Sequence, residues 1–203
     1  MAQETAAGPR ERYRQQIRAE VQGLAWAQIE QAGASALSLK AIAKQLGMTA
    51  PALYRYFASR DDLLTELILS AYRDLAEVVE AASTGPAPAR LDAMATAFRA
   101  WALGNPHRYL LIYGTPVPGY AAPPEATELA SRILAPILDG FSAGLPHDVD
   151  PGGLDPALRR SLAFWTRLHG VLSLEVAGHF AGMPFDPARL YAEEVAAVLA
   201  DLR

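Results

Sequence analysis

Tyr54, Arg55 and Tyr56 stand on consecutive positions and bring two phenol hydroxyls and a guanidinium together, groups that donate well to phosphate oxygens. Ser38, Lys40 and Arg60 flank them, so residues 38 to 60 (SLKAIAKQLGMTAPALYRYFASR) hold a set of donors suited to a polyanion. Ala50 and Ala52 are small enough to let a helix end approach base edges, and their methyls can touch thymine. A second group lies far downstream. Trp101, Tyr109, Tyr113, Trp165 and His169 supply aromatic and polar-tipped side chains that could converge on a cavity for a small molecule, although such residues also build ordinary cores. Glu175 and His179 share the helical spacing of Trp165 and His169. No third ligand accompanies them at a clear spacing, so no metal site is assigned.

These groups need elements to position them. Ser38 is suited to cap a helix from Leu39 to about Leu46, Gly47 to end it in the left-handed conformation, and Thr49 to cap the next, with Pro51 tolerated in its first turn. Upstream, Ile17, Val21, Leu24, Ala25 and Ile29 recur at helical spacing between Arg10 and Ala32. Ser59 begins a fourth helix running to about Ala82, with Asp61 and Asp62 at the positive end of its dipole. Beyond the Pro/Gly break at 83–89, helical patterns are expected over about 90–103, from Pro106, over 125–143 with a kink at Pro136, over about 156–181 and over about 187–202. TPVPGYAAPP and GLPHDVDPGGLD read as long loops. No strand alternation of any length occurs, so the chain is expected to be all-α, with about nine helices.

Composition limits the function further. The 203 residues include no cysteine, which excludes disulfides and thiolate metal sites. Residues 1–9 are small and polar and read as a disordered arm, and the apolar stretch 164–183 is broken by Arg167, His169, Glu175 and His179, so no membrane span is expected and the chain is placed in the cytoplasm. Charge is divided unevenly. Residues 1–60 carry eight basic and four acidic groups, a net of +4, which leaves −8 on the remainder of a chain whose total is −4. A basic N-terminal third on an acidic body suggests a polyanion partner at one end.

GMTAPALYRYFASRDDLL resembles the recognition-helix signature of the TetR family of transcriptional regulators, and the resemblance extends upstream through LSLKAIAKQLG to cover about residues 10–70. WTRLHGVLSLEVAGHF is similar to the Trp-His-Gly pattern of one type of TetR ligand-binding domain. The resemblance implies an N-terminal three-helix helix-turn-helix domain over 10–58, a connecting helix over 59–82, and a larger helical ligand-binding and dimerisation domain over 83–203. It places Lys40, Ala50, Pro51, Ala52 and Arg55 against bases or groove walls, and Ser38, Tyr54, Tyr56 and Arg60 against phosphates, with Thr49 opening the reading helix. Tyr56 stands where the family often has histidine, and Arg60 where it often has lysine. Both can still donate to phosphate.

The implied function is a homodimeric, sequence-specific DNA-binding regulator, a repressor released from a palindromic operator by a small molecule of unknown identity. No cofactor is implied. Dimerisation is expected through the last two helices, along Leu162, Leu172 and Val176 on one and Leu190, Val195, Val198, Leu199 and Leu202 on the other. Two other readings compete: a helical enzyme or small-molecule carrier with a structural N-terminal domain, and a ligand-independent DNA-binding protein. For the enzyme the chain offers no GxSxG, no glycine-rich phosphate loop and no carboxylate pair with an obvious base.

Overall fold

The computed structural model describes residues 8–142 and 153–200. Among these are nine α-helices and no strand: α1 (Pro9–Ala32), α2 (Leu39–Gln45), α3 (Ala50–Leu53), α4 (Arg60–Ala82), α5 (Ala87–Gly104), α6 (Pro106–Tyr113), α7 (Pro124–Ser142), α8 (Pro156–Val176) and α9 (Pro187–Leu199). A 3₁₀ turn at Ala34–Ala36 follows α1. Most of the arm expected over 1–9, most of the loop at 144–155, and Leu202 lie outside the described residues. Pro9 already belongs to α1, where proline suits a position whose N–H has no intrahelical partner.

The chain divides into two compact units, one of residues up to Ile68 together with Pro116–Ala122, the other of Leu69–Thr115 with the residues from Pro123 on. In the first, α1 buries Ile17, Val21, Ala25 and Ile29, a strict four-residue stripe, while every residue from Pro9 to Gln16 is exposed. Also buried are Leu37 just ahead of α2, Leu39, Ile42 and Ala43 of α2, Leu53, Phe57, and Leu63, Leu64, Leu67 and Ile68 of α4. Ser59 Oγ accepts from the Asp62 N–H at 3.0 Å, and Asp62 Oδ2 accepts from the Ala58 N–H at 2.9 Å, a reciprocal cap that fixes where α4 begins. Tyr120, from the proline-rich segment after α6, shares a hydroxyl contact of 3.0 Å with Thr65 of α4.

The second unit is built on α5, whose Leu91, Met94, Ala95, Phe98, Trp101 and Ala102 are buried among residues of α4, α6, α7, α8 and α9. Fully burying side chains such as Phe98, Phe141 and Phe164 contributes roughly 1.5–3 kcal/mol each. Gly140 lets α7 close on α5: a Cβ there would stand 2.8 Å from Leu91 Cδ2, inside a fully buried site. Helix α7 is helical on both sides of Pro136.

Helix α8 ends at Val176, five residues before the expected Ala181, because Gly178 takes a φ of +78°. The Gly178 N–H donates to Glu175 O at 3.0 Å and the His179 N–H to Leu174 O at 2.9 Å, the paired bonds that close a helix on a left-handed glycine. Phe180 therefore lies in the following turn and not on the helix face.

Candidate nucleic-acid interface and effector core

The reading head is assembled from local signals. Ser38 Oγ accepts from the Ala41 N–H at 3.3 Å and caps α2, while the Ser38 N–H donates to Gln28 Oε1 of α1 at 2.9 Å. At the other end Gly47, with φ of +65°, lets its own N–H reach Lys44 O at 3.2 Å and the Met48 N–H reach Ala43 O at 2.9 Å. This turn sets the angle at which α3 leaves. Thr49 does not cap it through its side chain. Its backbone carbonyl accepts from Ala52 and Leu53 instead, at 3.0 and 3.2 Å.

Regular helix in α3 stops at Leu53, so Tyr54, Arg55 and Tyr56 lie in the turn that follows it. The Arg55 and Tyr56 amides bond back three residues, to Ala52 O at 3.4 Å and Leu53 O at 2.8 Å, which tightens the turn in the 3₁₀ manner. Leu53 and Phe57 are buried and hold this segment down. Tyr54 is 51% exposed, Pro51 and Arg55 are exposed, and Ala50, Ala52 and Tyr56 are half-buried. The Tyr54 ring thus faces outward and is not part of the small core.

Charge pairing separates the basic groups. Lys40, Lys44 and Arg55 are exposed and make no ion pair among the described residues, and the same holds for Arg10 and Arg14. Arg60 differs: its Nε donates to Leu37 O at 3.2 Å, one terminal nitrogen to Ala34 O at 2.8 Å, and the other pairs with Asp61 at 3.2 Å. A guanidinium so occupied staples the 3₁₀ turn to α4, which sets Arg60 apart from the exposed cations that make no ion pair. Two residues were not singled out from the sequence. Lys44 lies one turn beyond Lys40 on α2, a signal that was available. Arg18 of α1 donates to Tyr56 O, stands 4.4 Å over the Phe57 ring and pairs with Glu66 of α4, whose other oxygen accepts from Gln22 at 2.8 Å. No local pattern announces so distant a set of partners.

The second unit brings Tyr109, Tyr113, Trp165 and His169 together around Phe98. The His169 ring lies 4.4 Å from both Tyr113 and Trp165, and Phe98 stacks on Trp165 at 5.1 Å. Tyr109 places its hydroxyl 2.9 Å from His169 Nδ1 and 2.9 Å from Ser173 Oγ. Burial pushes the His169 pKa down to about 4, so the imidazole is neutral near pH 7, and its Nε2 is buried with no hydrogen-bond partner among the described residues. Burial likewise raises the Tyr113 and Tyr109 hydroxyls above the usual phenol range. Trp101 does not join this cluster; it lines a separate pocket with Asp74, Asn105 and Arg108, on the side of α5 that faces α4. Phe98 and Ser173 were missed, although Ser173 follows His169 by one helical turn.

Glu175 pairs with Arg99 of α5, whose guanidinium also stands 5.8 Å from the Tyr191 ring, and His179 lies beyond the end of α8. The two therefore do not form a pair along one helix face. Of the residues expected at a dimer interface, Leu172, Val195 and Leu199 are buried in the chain's own core, where the stripes of α8 and α9 close against α5 and α7. They offer no outer surface. Leu162 is 39% exposed, and Val176, Leu190 and Val198 are half-buried.

Comparison with known proteins gives two matches along the chain. Residues 24–67 match the model for bacterial regulatory proteins of the tetR family, and residues 91–198 match the model for a tetracyclin repressor-like C-terminal domain. An HTH-type transcriptional regulator of Mycobacterium tuberculosis is 38% identical over 220 aligned positions, covering 94% of each chain. The crystal structure of the regulatory protein SCO4313 is 52% identical and superposes with a TM-score of 0.85, covering 95% of this chain and all of that one. The fold is shared more distantly, at 14% identity and a TM-score of 0.68, with FadR of Bacillus subtilis in complex with stearoyl-CoA, over 91% of this chain and 99% of that one. With both parts of the chain matched and a relative aligned over almost its whole length, the chain belongs to the TetR family of bacterial transcriptional regulators.

Proposed function

We propose that the protein is a cytoplasmic homodimeric repressor that binds a palindromic operator and is released from it by a small molecule. The observation that carries the DNA-binding part is the set of unpaired cations on the helix-turn-helix. Lys40, Lys44 and Arg55 stand exposed, as Tyr54 does, with no carboxylate among the described residues to neutralise them, and a duplex supplies the missing charge. Arg55 and Lys40 read base edges, while Ser38, Tyr54 and Tyr56 hold phosphates and Thr49, Ala50, Pro51 and Ala52 line the close approach. Specificity then rests mainly on Arg55, Lys40 and DNA shape, since alanines cannot read by hydrogen bond.

The effector enters the aromatic cluster of Phe98, Tyr109, Tyr113, Trp165 and His169. A neutral imidazole whose buried Nε2 lacks a partner among the described residues is a ready hydrogen-bonding point inside aromatic walls. Helix α4 runs unbroken through residues of both compact units, and Tyr72 of α4 meets Tyr113 of the cluster with ring centroids 6.0 Å apart. Ligand-induced repacking is passed along α4, and the paired recognition segments no longer match major grooves about 34 Å apart. By linkage, ligand and operator weaken each other by the same factor. The dimer forms through the outward parts of α8 and α9, at Leu162, Val176, Leu190 and Val198.

Selection of bound duplexes from a random pool, repeated with candidate ligands, tests both halves of the reading. Enrichment of a two-fold-related sequence, lost on adding one of the ligands, is the expected result. Retention of duplexes with no enriched sequence would reject it.

A further inference from the structure

We propose that the first two turns of α1 clamp the phosphates of duplex DNA flanking the sequence read by Arg55, with Arg10 and Arg14 as the contacts. This rests on the DNA-binding reading above and extends it to a surface outside the matched helix-turn-helix segment, which begins at residue 24. Helix α1 is longer than its own core requires. Its first buried residue is Ile17, and Pro9–Gln16 (PRERYRQQ) are exposed throughout, Tyr13 included at 60%, so this stretch buries no side chain of its own.

Arg18 fixes the direction in which this projection points. Arg10, Arg14 and Arg18 are four residues apart, so they follow one another along one side of the helix at about 6 Å per step. Arg18, the last of the three, donates to Tyr56 O and lies over Phe57, at the end of the segment that carries Tyr54 and Arg55. The stripe therefore starts at the edge of the recognition segment, and Arg14 and Arg10 continue it outward by about 6 and 12 Å. Arg18 is neutralised by Glu66, but Arg10 and Arg14 make no ion pair among the described residues. The nearby carboxylates are turned to glutamines: Glu11 is bonded by Gln15 at 3.5 Å and Glu20 by Gln16 at 3.0 Å. Two guanidiniums in line with a recognition segment, without an ion pair among the described residues, complement a phosphate backbone that runs on past the bases being read.

The test uses the full chain and an operator selected by the wild-type protein, prepared in a trimmed form and in a form carrying about one extra helical turn of DNA on each side. Dissociation constants are measured across a salt series for wild type, an Arg10→Gln/Arg14→Gln variant and an Arg10→Lys/Arg14→Lys variant, each checked for an unchanged melting curve. On the long duplex the glutamine variant should show a salt slope shallower by about 0.9 for each phosphate it no longer neutralises, near 2 per protomer, while the lysine variant keeps most of the wild-type slope. On the trimmed duplex the slopes of all three should coincide. An unchanged slope for the glutamine variant on the long duplex, or an equal reduction on both lengths, would overturn the clamp and leave operator recognition intact. Failure of the wild type to enrich any sequence overturns the DNA-binding reading itself.

Discussion

The Tyr109 hydroxyl lies 2.9 Å from His169 Nδ1 and 2.9 Å from Ser173 Oγ, so one phenol joins α6 to two successive turns of α8. Tyr109 is almost wholly buried, and its ring also meets Phe98 and Tyr113. Polar groups satisfied only by one another in such a setting are costly to strand. Tyr109→Phe keeps the ring and removes the hydroxyl, leaving an imidazole nitrogen and a serine hydroxyl without their partner, and should cost about 1–3 kcal/mol in urea unfolding. A loss no larger than that of Ser173→Ala would show that the phenol is not the hub of this network.

His169 gives the protein a dependence on pH whose sign follows from burial. Its folded pKa is about 4 against an ordinary value of 6.5, so between those values the unfolded chain binds the proton and the folded chain does not. The stability associated with the neutral imidazole is complete above pH 6.5 and is lost as pH falls toward 4, a difference on the order of 3 kcal/mol. Urea midpoints measured across that window should fall more steeply for wild type than for His169→Gln. Parallel curves for the two would mean that the imidazole titrates alike in both states.

The legible parts of this chain were those whose cause is local. Ser38, Gly47 and Ser59 each act on backbone groups within a few residues, and their roles in the sequence and in the structure coincide. Gly178 carried the same kind of signal, yet the apolar periodicity through Phe180 masked it and lengthened α8 by a turn. Thr49 shows the opposite failure, a residue of the right type whose oxygen is not used. Long-range geometry was less accessible. Arg60 reads as a free cation until the carbonyls of Ala34 and Leu37 are seen to occupy it, and the partners of Arg18 are brought to it only by the packing of α1 against α4. Trp101 and Tyr109 are both aromatic and both buried, but Trp101 lines a pocket with Asp74 and Arg108 while Tyr109 bonds to His169.

The proposed dimer makes two leucines on α8 behave differently. Leu162 is 39% exposed, so Leu162→Arg leaves the core intact and places a charge in the proposed interface, whereas Leu172 is fully buried and Leu172→Arg places a charge in the core. The first variant should elute near 21.8 kDa in place of twice that mass while melting as a folded protein; the second should not fold. Dimeric Leu162→Arg at micromolar concentration would move the interface away from this face.

Arg55 and Arg60 sit five positions apart and should fail in different ways. Arg55 is exposed and makes no ion pair among the described residues, so Arg55→Ala should leave stability within about 0.5 kcal/mol of wild type. Its loss falls on discrimination, about 1–3 kcal/mol or roughly 5- to 150-fold between selected operator and scrambled duplex. Arg60→Ala strands the carbonyls of Leu37 and Ala34 and frees the 3₁₀ turn from α4, so it should cost about 1–3 kcal/mol in unfolding and affect operator binding only as far as the head loosens. Tyr54→Phe is the third arm: it removes an exposed hydroxyl and should weaken operator and scrambled duplex alike. Competition binding at fixed salt, paired with urea curves, separates the three. Undiminished discrimination by Arg55→Ala would remove Arg55 from the base-reading role, and a stable Arg60→Ala that loses affinity for every duplex would return Arg60 to the phosphate contacts.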